Sequence, residues 1–405
     1  MKSLRIRRPL SALTASLAVV FGALVASPTG TASAQAAELY VAPGGDDSNP
    51  GSLDEPLQTI QAAVDLAGAG TTIHLREGTY APDTNIQLLH SGTESQPITL
   101  RSYAGEHAVL DGENMPYTPG EVGSTIPRPD RGAIHLEGDY WHIIGLEIIN
   151  GPYGIFGMDT SHNVFKDLVT RDNYETGLHL VGDVGVVSDN QVINLDSYGN
   201  RDPRKNGESA DGLAIKQGEG EGNIVRGVRL WNNADDGYDA FDFRAPILVE
   251  DSMAWGNGFN RWDLPGYQGD GNGFKLGGGD PDPAVDHITR NSIAFGNAVD
   301  GFDDNGNPGA MEIENCTAWD NPGNGFDFSD GESTLTDNLA VDNGNAVDLG
   351  SNGAGGSGNS WDTGEEWEVE STDPTTITGP RNPDGSIPSS DFLVPSNGAD
   401  VGARF

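Results

Sequence analysis

Seven short runs along this chain alternate apolar and polar residues, and each begins at a glycine. The glycines are Gly154, Gly177, Gly212, Gly237, Gly273, Gly301 and Gly325. Apolar residues stand one and three positions after most of them, as in Leu178/Leu180, Leu213/Ile215, Phe274/Leu276 and Phe326/Phe328. Alternation with a period of two predicts short strands with one buried face. An asparagine precedes the glycine by four positions at Asn150, Asn173, Asn233, Asn297 and Asn321. An aromatic precedes that asparagine by two at Trp231, Phe295 and Trp319, and Tyr198–Asn200 and Trp255–Asn257 follow the same spacing.

The clean repeat spacings are 23 to 28 residues. A period in this range, built from short strands and without helical periodicity, predicts a solenoid. The expected fold class is all-β: a single-stranded right-handed parallel β-helix. Stacked coils lie about 4.8 Å apart, so equivalent asparagines at a turn can bond along a ladder and equivalent aromatics can stack. Both roles are structural, and the tryptophans are assigned to stacking rather than to sugar binding. A short amphipathic helix is expected within 57–67, capping the open N-terminal end of the solenoid.

The domain organisation is expected to be simple. Residues 1–34 read as a secretory signal: Lys2, Arg5, Arg7 and Arg8 precede an apolar run from Leu10 to Val25, and Ala32-Ser33-Ala34 offers a cleavage site. Residues 35–405 form one β-helix domain, with regular coils at about 130–350 and an irregular C-terminal cap over 351–405. The expected product is a secreted, soluble monomer. The lone cysteine, Cys316, lies in an alternating stretch and is assigned to the core.

Charge narrows the partners. The chain has 22 Lys and Arg against 61 Asp and Glu, a net charge of −39. Without residues 1–34 the balance is 18 against 61, or −43. Such a surface repels nucleic acid and anionic membranes. It also repels an acidic polysaccharide unless cations bridge the two. Many of the acids stand in Asp/Asn/Gly-rich turns, where calcium is the matching hard-oxygen partner.

The candidate chemistry lies in three segments: A-D-G-L-A-I-K at 210–216, N-A-D-D-G-Y-D at 233–239 and N-G-F-K-L-G-G at 272–278. If the repeats stack, Asp211, Asp235, Asp236, Asp239 and Lys275 converge on one face, as a Ca2+ site beside a base. Two positions past each glycine the column reads Phe156, His179, Ala214, Asp239, Lys275, Asp303 and Asp327. By alternation it faces outward, which makes Asp239 and Lys275 neighbours on adjacent coils. Asp300, Asp303, Asp304 and Asp327 are candidates for a second ion or for turn caps. His179 is assigned to the groove surface rather than to catalysis. Loops at 201–210 and 258–271 interrupt the rhythm and flank the acids, and solenoids place insertions on a binding face. Their Arg201, Arg204, Lys205 and Arg261, together with Lys216, are candidates for receiving substrate carboxylates.

These three segments, in this order and spacing, resemble family nine of the polysaccharide lyases, the right-handed parallel β-helix pectate lyases. The resemblance extends more loosely over about 130–350. It implies calcium held by Asp211, Asp235, Asp236 and Asp239, Lys275 as the catalytic base, and polygalacturonate as substrate. The chemistry is coherent: a base removes the C5 proton α to the uronate carboxylate, the bond at O4 breaks, and a cation offsets the charge that develops. Asp239 raises the pKa of Lys275 and bound calcium lowers it, so the base is expected to work with calcium present and at alkaline pH. Three alternatives stay open. They are a lyase on another uronate polymer, an inverting polygalacturonan hydrolase with carboxyls about 6.5–9.5 Å apart, and a non-catalytic glycan-binding solenoid.

Overall fold

The chain winds through three parallel sheets, one strand to each sheet per turn, in a computed structural model that describes residues 37–364 and 366–405. The leader expected at 1–34 lies outside the described residues. The first sheet has 12 strands, from Glu38–Val41 to Gly355–Ser357. The second has 10, from Gly78–Tyr80 to Leu339–Val341, and the third has 10, from Ile86–Leu88 to Asn345–Asp348. Neighbouring strands in each sheet are successive coils. This is the parallel β-helix that the glycine-led alternation predicts.

One helix, Ile60–Leu66, precedes the regular coils. Thr59 caps it by accepting a bond from the Ala62 amide, and it buries Ile60, Ala63 and Val64. It packs on the strands Glu38–Val41, Thr72–Leu75 and Ile86–Leu88, where it covers strand ends that would otherwise be open. No helix among the described residues is long and apolar enough to cross a membrane.

Sharp turns separate the sheets. Between the second and third sheets the corner residues Asn150, Asp172, Asn232, Asp320 and Asp342 have φ near +55°, and glycine takes the same corner at 199, 256 and 296. Only Gly, Asn and Asp adopt this region at little cost. The next residue builds the ladder. Asn173, Asn200, Asn233, Asn257, Asn297 and Asn321 each pass an amide bond to the side-chain oxygen of the next rung, at 2.9–3.1 Å, and Asn343 is the last acceptor. Asn150 is not a rung. One residue fewer separates this corner from Gly154, so Asn150 takes the left-handed position and Gly151 stands in the ladder, donating to Asn173 at 3.0 Å. The repeat glycine has a different task. A Cβ on Gly212, Gly237, Gly273 or Gly301 would come within 2.5–2.8 Å of the next coil's glycine carbonyl.

Inside, Phe274, Phe302 and Phe326 stack at 4.9 and 5.0 Å. Cys316 is fully buried. On the outer face of the second sheet, Tyr198, Trp231, Trp255, Phe295 and Trp319 form a second stack, with centroids 4.1 to 6.1 Å apart. The C-terminal segment lies along this face. Phe392 packs edge-on against Phe295 and Trp319, Arg381 bonds Asp196 at 2.6 Å, and Arg229 reaches the Ile377 carbonyl at 3.1 Å. The tryptophans are half-buried in this stack, and the C-terminal cluster packs on Trp255 and Trp319.

Candidate active site on the third sheet

The strands Leu213–Lys216, Tyr238–Asp239 and Phe274–Lys275 are consecutive in the third sheet. Their inward residues Leu213, Tyr238 and Phe274 are fully buried. The outward column pairs Phe156 with His179, His179 with Ala214, Ala214 with Asp239, Asp239 with Lys275, Lys275 with Asp303 and Asp303 with Asp327. Asp239 and Lys275 thus occupy paired positions on adjacent coils. Asp211, Asp235 and Asp236 come from the turns immediately before, where the D-G and D-D-G segments leave the asparagine ladder.

All four aspartates are buried. They form two overlapping groups rather than one quartet. Carboxylate oxygens of Asp211, Asp236 and Asp239 lie within 4.8 Å of one another, and so do those of Asp235, Asp236 and Asp270. Asp270, in the second loop, was not singled out from the sequence. Its amide donates to Asp235 at 2.6 Å, and the Asn272 amide donates to Asp236 at 2.7 Å. Two lysines neutralise part of this charge. Lys275 Nζ lies 3.3 Å from Asp236 and also binds Asp270. Lys216 Nζ lies 3.0 Å from Asp211 and 2.6 Å from Asp239.

The electrostatics follow from burial and crowding. Loss of water raises Asp211 to about 7, with Lys216 opposing and Asp239 and Asp236 adding to the rise. Burial raises Asp236 to about 6 against the pull of Lys275, and it pushes Asp235 well up, reinforced by Asp236 and Asp211. Burial also penalises the Asp239 carboxylate, but Lys216 and Lys275 outweigh it and hold this group below the usual value. For Lys275 burial favours the neutral amine, yet Asp236, Asp239 and Asp270 prevail and raise its pKa.

Two observations fit this donor set to a hard cation. Every candidate ligand is a carboxylate oxygen, the donor type calcium takes. Asp211 Oδ1 is buried without a hydrogen-bond partner, and Asp236 Oδ2 has only the Lys275 ion pair. An orphaned buried carboxylate oxygen is costly unless a cation meets it. Asp303 and Asp304, which burial raises to about 8 and about 6, serve turns instead: they accept amides of Asn305 at 2.7 Å and Asp330 at 2.9 Å. Asp300 accepts the Asn324 amide.

A cleft of about 610 Å³ lies over this face. The two insertion loops meet across it, where the Gln268 amide donates to the Asn206 carbonyl at 3.0 Å. Thr125, Ile126 and Arg131, from a stretch the sequence reading passed over, supply a further wall. Arg204, Lys205, Lys216 and Lys275 line the cleft. Arg204 is buried and held by Glu175 and by the Ser124 carbonyl at 2.6 Å. Arg201 and Arg261 are not in the lining. Arg201 lies over the Tyr174 ring at 4.4 Å and near Asp172 at 3.9 Å, and Arg261 covers Phe259 at 5.1 Å. These local partners, whose direction loop sequence does not encode, hold the two outside the cleft lining. His179 lines the cleft but is buried, tilted against Phe156 at 5.2 Å, with neither ring nitrogen bonded. Burial, then Lys216, Arg131 and Lys205, keep it neutral.

Comparison with known proteins agrees with this geometry. Residues 39–338 match the model of the Pel9A-like right-handed β-helix region. The chain is 50% identical over 390 residues to pectate lyase PEL9 of Emericella nidulans, covering 91% of this chain and 94% of that one. It is 35% identical over 359 residues to pectate lyase L of Dickeya chrysanthemi, covering 86% and 81%. The crystal structure of pectate lyase Pel9A superposes with a TM-score of 0.78 at 33% identity, covering 91% of each chain. A rhamnogalacturonan lyase superposes at 0.77 with 24% identity, a likeness of fold. The chain therefore belongs to the Pel9A-like right-handed β-helix family, family nine of the polysaccharide lyases.

Proposed function

We propose that the protein is an exported, calcium-dependent pectate lyase that cleaves de-esterified polygalacturonate by β-elimination, with Lys275 as the base. One observation carries the reading: a buried lysine stands on the paired coil beside Asp239, between two carboxylate groups able to share a cation, at the floor of an open cleft. The names of the relatives supply the substrate class. An inverting hydrolase has no use for a central lysine.

Bound calcium would be held by Asp211, Asp235, Asp236 and Asp239, with Asp270 adjacent, and would offset the negative charge of the uronate carboxylate as the C5 proton leaves. The chain's own residues do the rest. Lys275 accepts the C5 proton at Nζ, for which it must first be neutral. The same acids that keep it charged are those a cation would neutralise, so cation binding lowers its pKa. The cleft aligns the polymer along the third sheet, and Lys205 and Lys216 present ammonium groups to its carboxylates.

The test is the absorbance of 4,5-unsaturated product from polygalacturonate, with calcium and with chelator, for the native protein and Lys275→Ala. Activity should need calcium and fall by about 10²–10⁴-fold in the variant, the usual share of a general base. Reducing ends without new absorbance would select hydrolysis. Full activity of Lys275→Ala would refute the base assignment.

A further inference from the structure

Lys216 ends the strand Leu213–Lys216, and its ammonium lies between Asp211 and Asp239, at 3.0 and 2.6 Å. Its side chain is only 12% exposed. Both partners belong to the carboxylate group that, with Asp236, can share one cation. An ammonium and a divalent ion held by the same carboxylates compete, because the two positive charges repel at such range in a site with little water to screen them. The neighbouring Asp211 Oδ1 is buried and unpartnered, so the ammonium alone does not satisfy this pocket. Lys216 also lines the cleft, beside Gln217 and Lys205, so a displaced ammonium has open space to enter.

We propose that Lys216 is a tethered occupant of the cation site: its ammonium holds Asp211 and Asp239 together until calcium displaces it into the cleft, where it receives a uronate carboxylate. Calcium binding then does two things at once. It installs the divalent charge, and it releases a substrate-binding cation that was sequestered. Cation and polymer would bind in that order. The displacement rests on geometry alone, whereas the carboxylate-receiving role rests on the lyase reading above.

Two measurements on the exported chain test the displacement without using activity. Calorimetric titration with calcium chloride should show Lys216→Gln binding about tenfold more tightly than the native protein, as expected when a competing ion pair is removed. In the native protein, peptide mass spectrometry after amine acylation should show Lys216 labelled slowly in chelator and faster with calcium. Lys166, whose side chain is 42% exposed, should be unchanged. Unchanged or weaker calcium binding in Lys216→Gln overturns the proposal, and so does Lys216 labelling that stays constant or falls with calcium. If the variant does not fold, the labelling decides. For the second role, Lys216→Gln should raise KM for polygalacturonate at similar kcat, and a fall in kcat at unchanged KM overturns that part. A protein that makes no unsaturated product yet passes both calcium tests leaves the displacement intact and removes only the lyase reading.

Discussion

Replacing Asn233 by Ala should unfold this protein more readily than almost any other single polar change. Asn233 is fully buried, two residues before Asp235. Its side-chain oxygen accepts the Asn200 amide N–H at 3.2 Å and the Asn200 side-chain amide at 2.9 Å. Its own amide group donates to Asn257 at 3.0 Å. Alanine keeps the backbone bond to Asn257, but in a site with no water access it orphans the Asn200 backbone N–H and one side-chain N–H, while the other still reaches Ser197 Oγ at 3.0 Å. Each orphaned buried donor costs about 1–3 kcal/mol, so the expected loss is about 2–6 kcal/mol. That is a large share of a typical total of about 5–15 kcal/mol. The assay is urea unfolding, read as a lower midpoint at constant slope. Asn345→Ala is the control, because Asn345 is exposed and makes a single side-chain bond to Asn324 at 3.1 Å. A loss below about 1 kcal/mol for Asn233→Ala, or one no larger than the control's, would refute the view that the ladder bears on stability.

Two further outcomes follow from other sites. His287 is buried and its pKa is lowered by burial to about 4, so the folded protein keeps it neutral while the unfolded chain protonates near 6.5; stability is retained above that value and lost as pH falls from 6.5 towards 4, by about 3 kcal/mol. His287 Nδ1 accepts the Ile247 amide at 3.1 Å, a bond that asparagine can replace, so His287→Asn should flatten this part of the pH–stability curve, and parallel urea midpoints for both proteins at pH 4 to 7 would contradict it. Asp270→Asn removes one of three acids that raise the Lys275 pKa, so the acid limb of the kcat–pH profile at saturating calcium should move to lower pH; a limb that stays or moves up would show that Asp270 does not act on the base.

The sequence carried the register of this fold better than its surroundings, for a physical reason. A strict period fixes which residues share a coil position, and alternation fixes which way they face. Asp239 and Lys275, 36 residues apart, could therefore be paired from the chain alone. The rule failed where one residue was missing, and Asn150 slid from rung to corner. It failed again in the loops, which have no period. Asp270 reaches the aspartates only because the 258–271 loop folds back over the Asp235–Asp236 turn, and the wall from Thr125 to Arg131 has no repeat to mark it. The signal that could have found Asp270 is weak: an acid in a G-D-G turn five residues before the lysine. His179 shows the same limit in another form, since alternation turned it outward correctly but could not say that it would be covered.

The same division explains how the site can be both rigid and specific. The turn aspartates inherit their positions from the asparagine ladder, which would persist with any outward residues. The lysines inherit theirs from strand register. Neither device selects a substrate, because both repeat along the whole solenoid, and the same column continues to Asp303 and Asp327 without a cleft-lining role. What distinguishes these three coils is the cover: two insertion loops and the 125–131 stretch crowd Arg131, Arg204, Lys205 and Lys216 against one end of an acidic cluster, in a chain whose net charge is −39. On the proposed lyase reading, selection of an acidic polymer belongs to the loops, and the solenoid supplies the spacing at which they act.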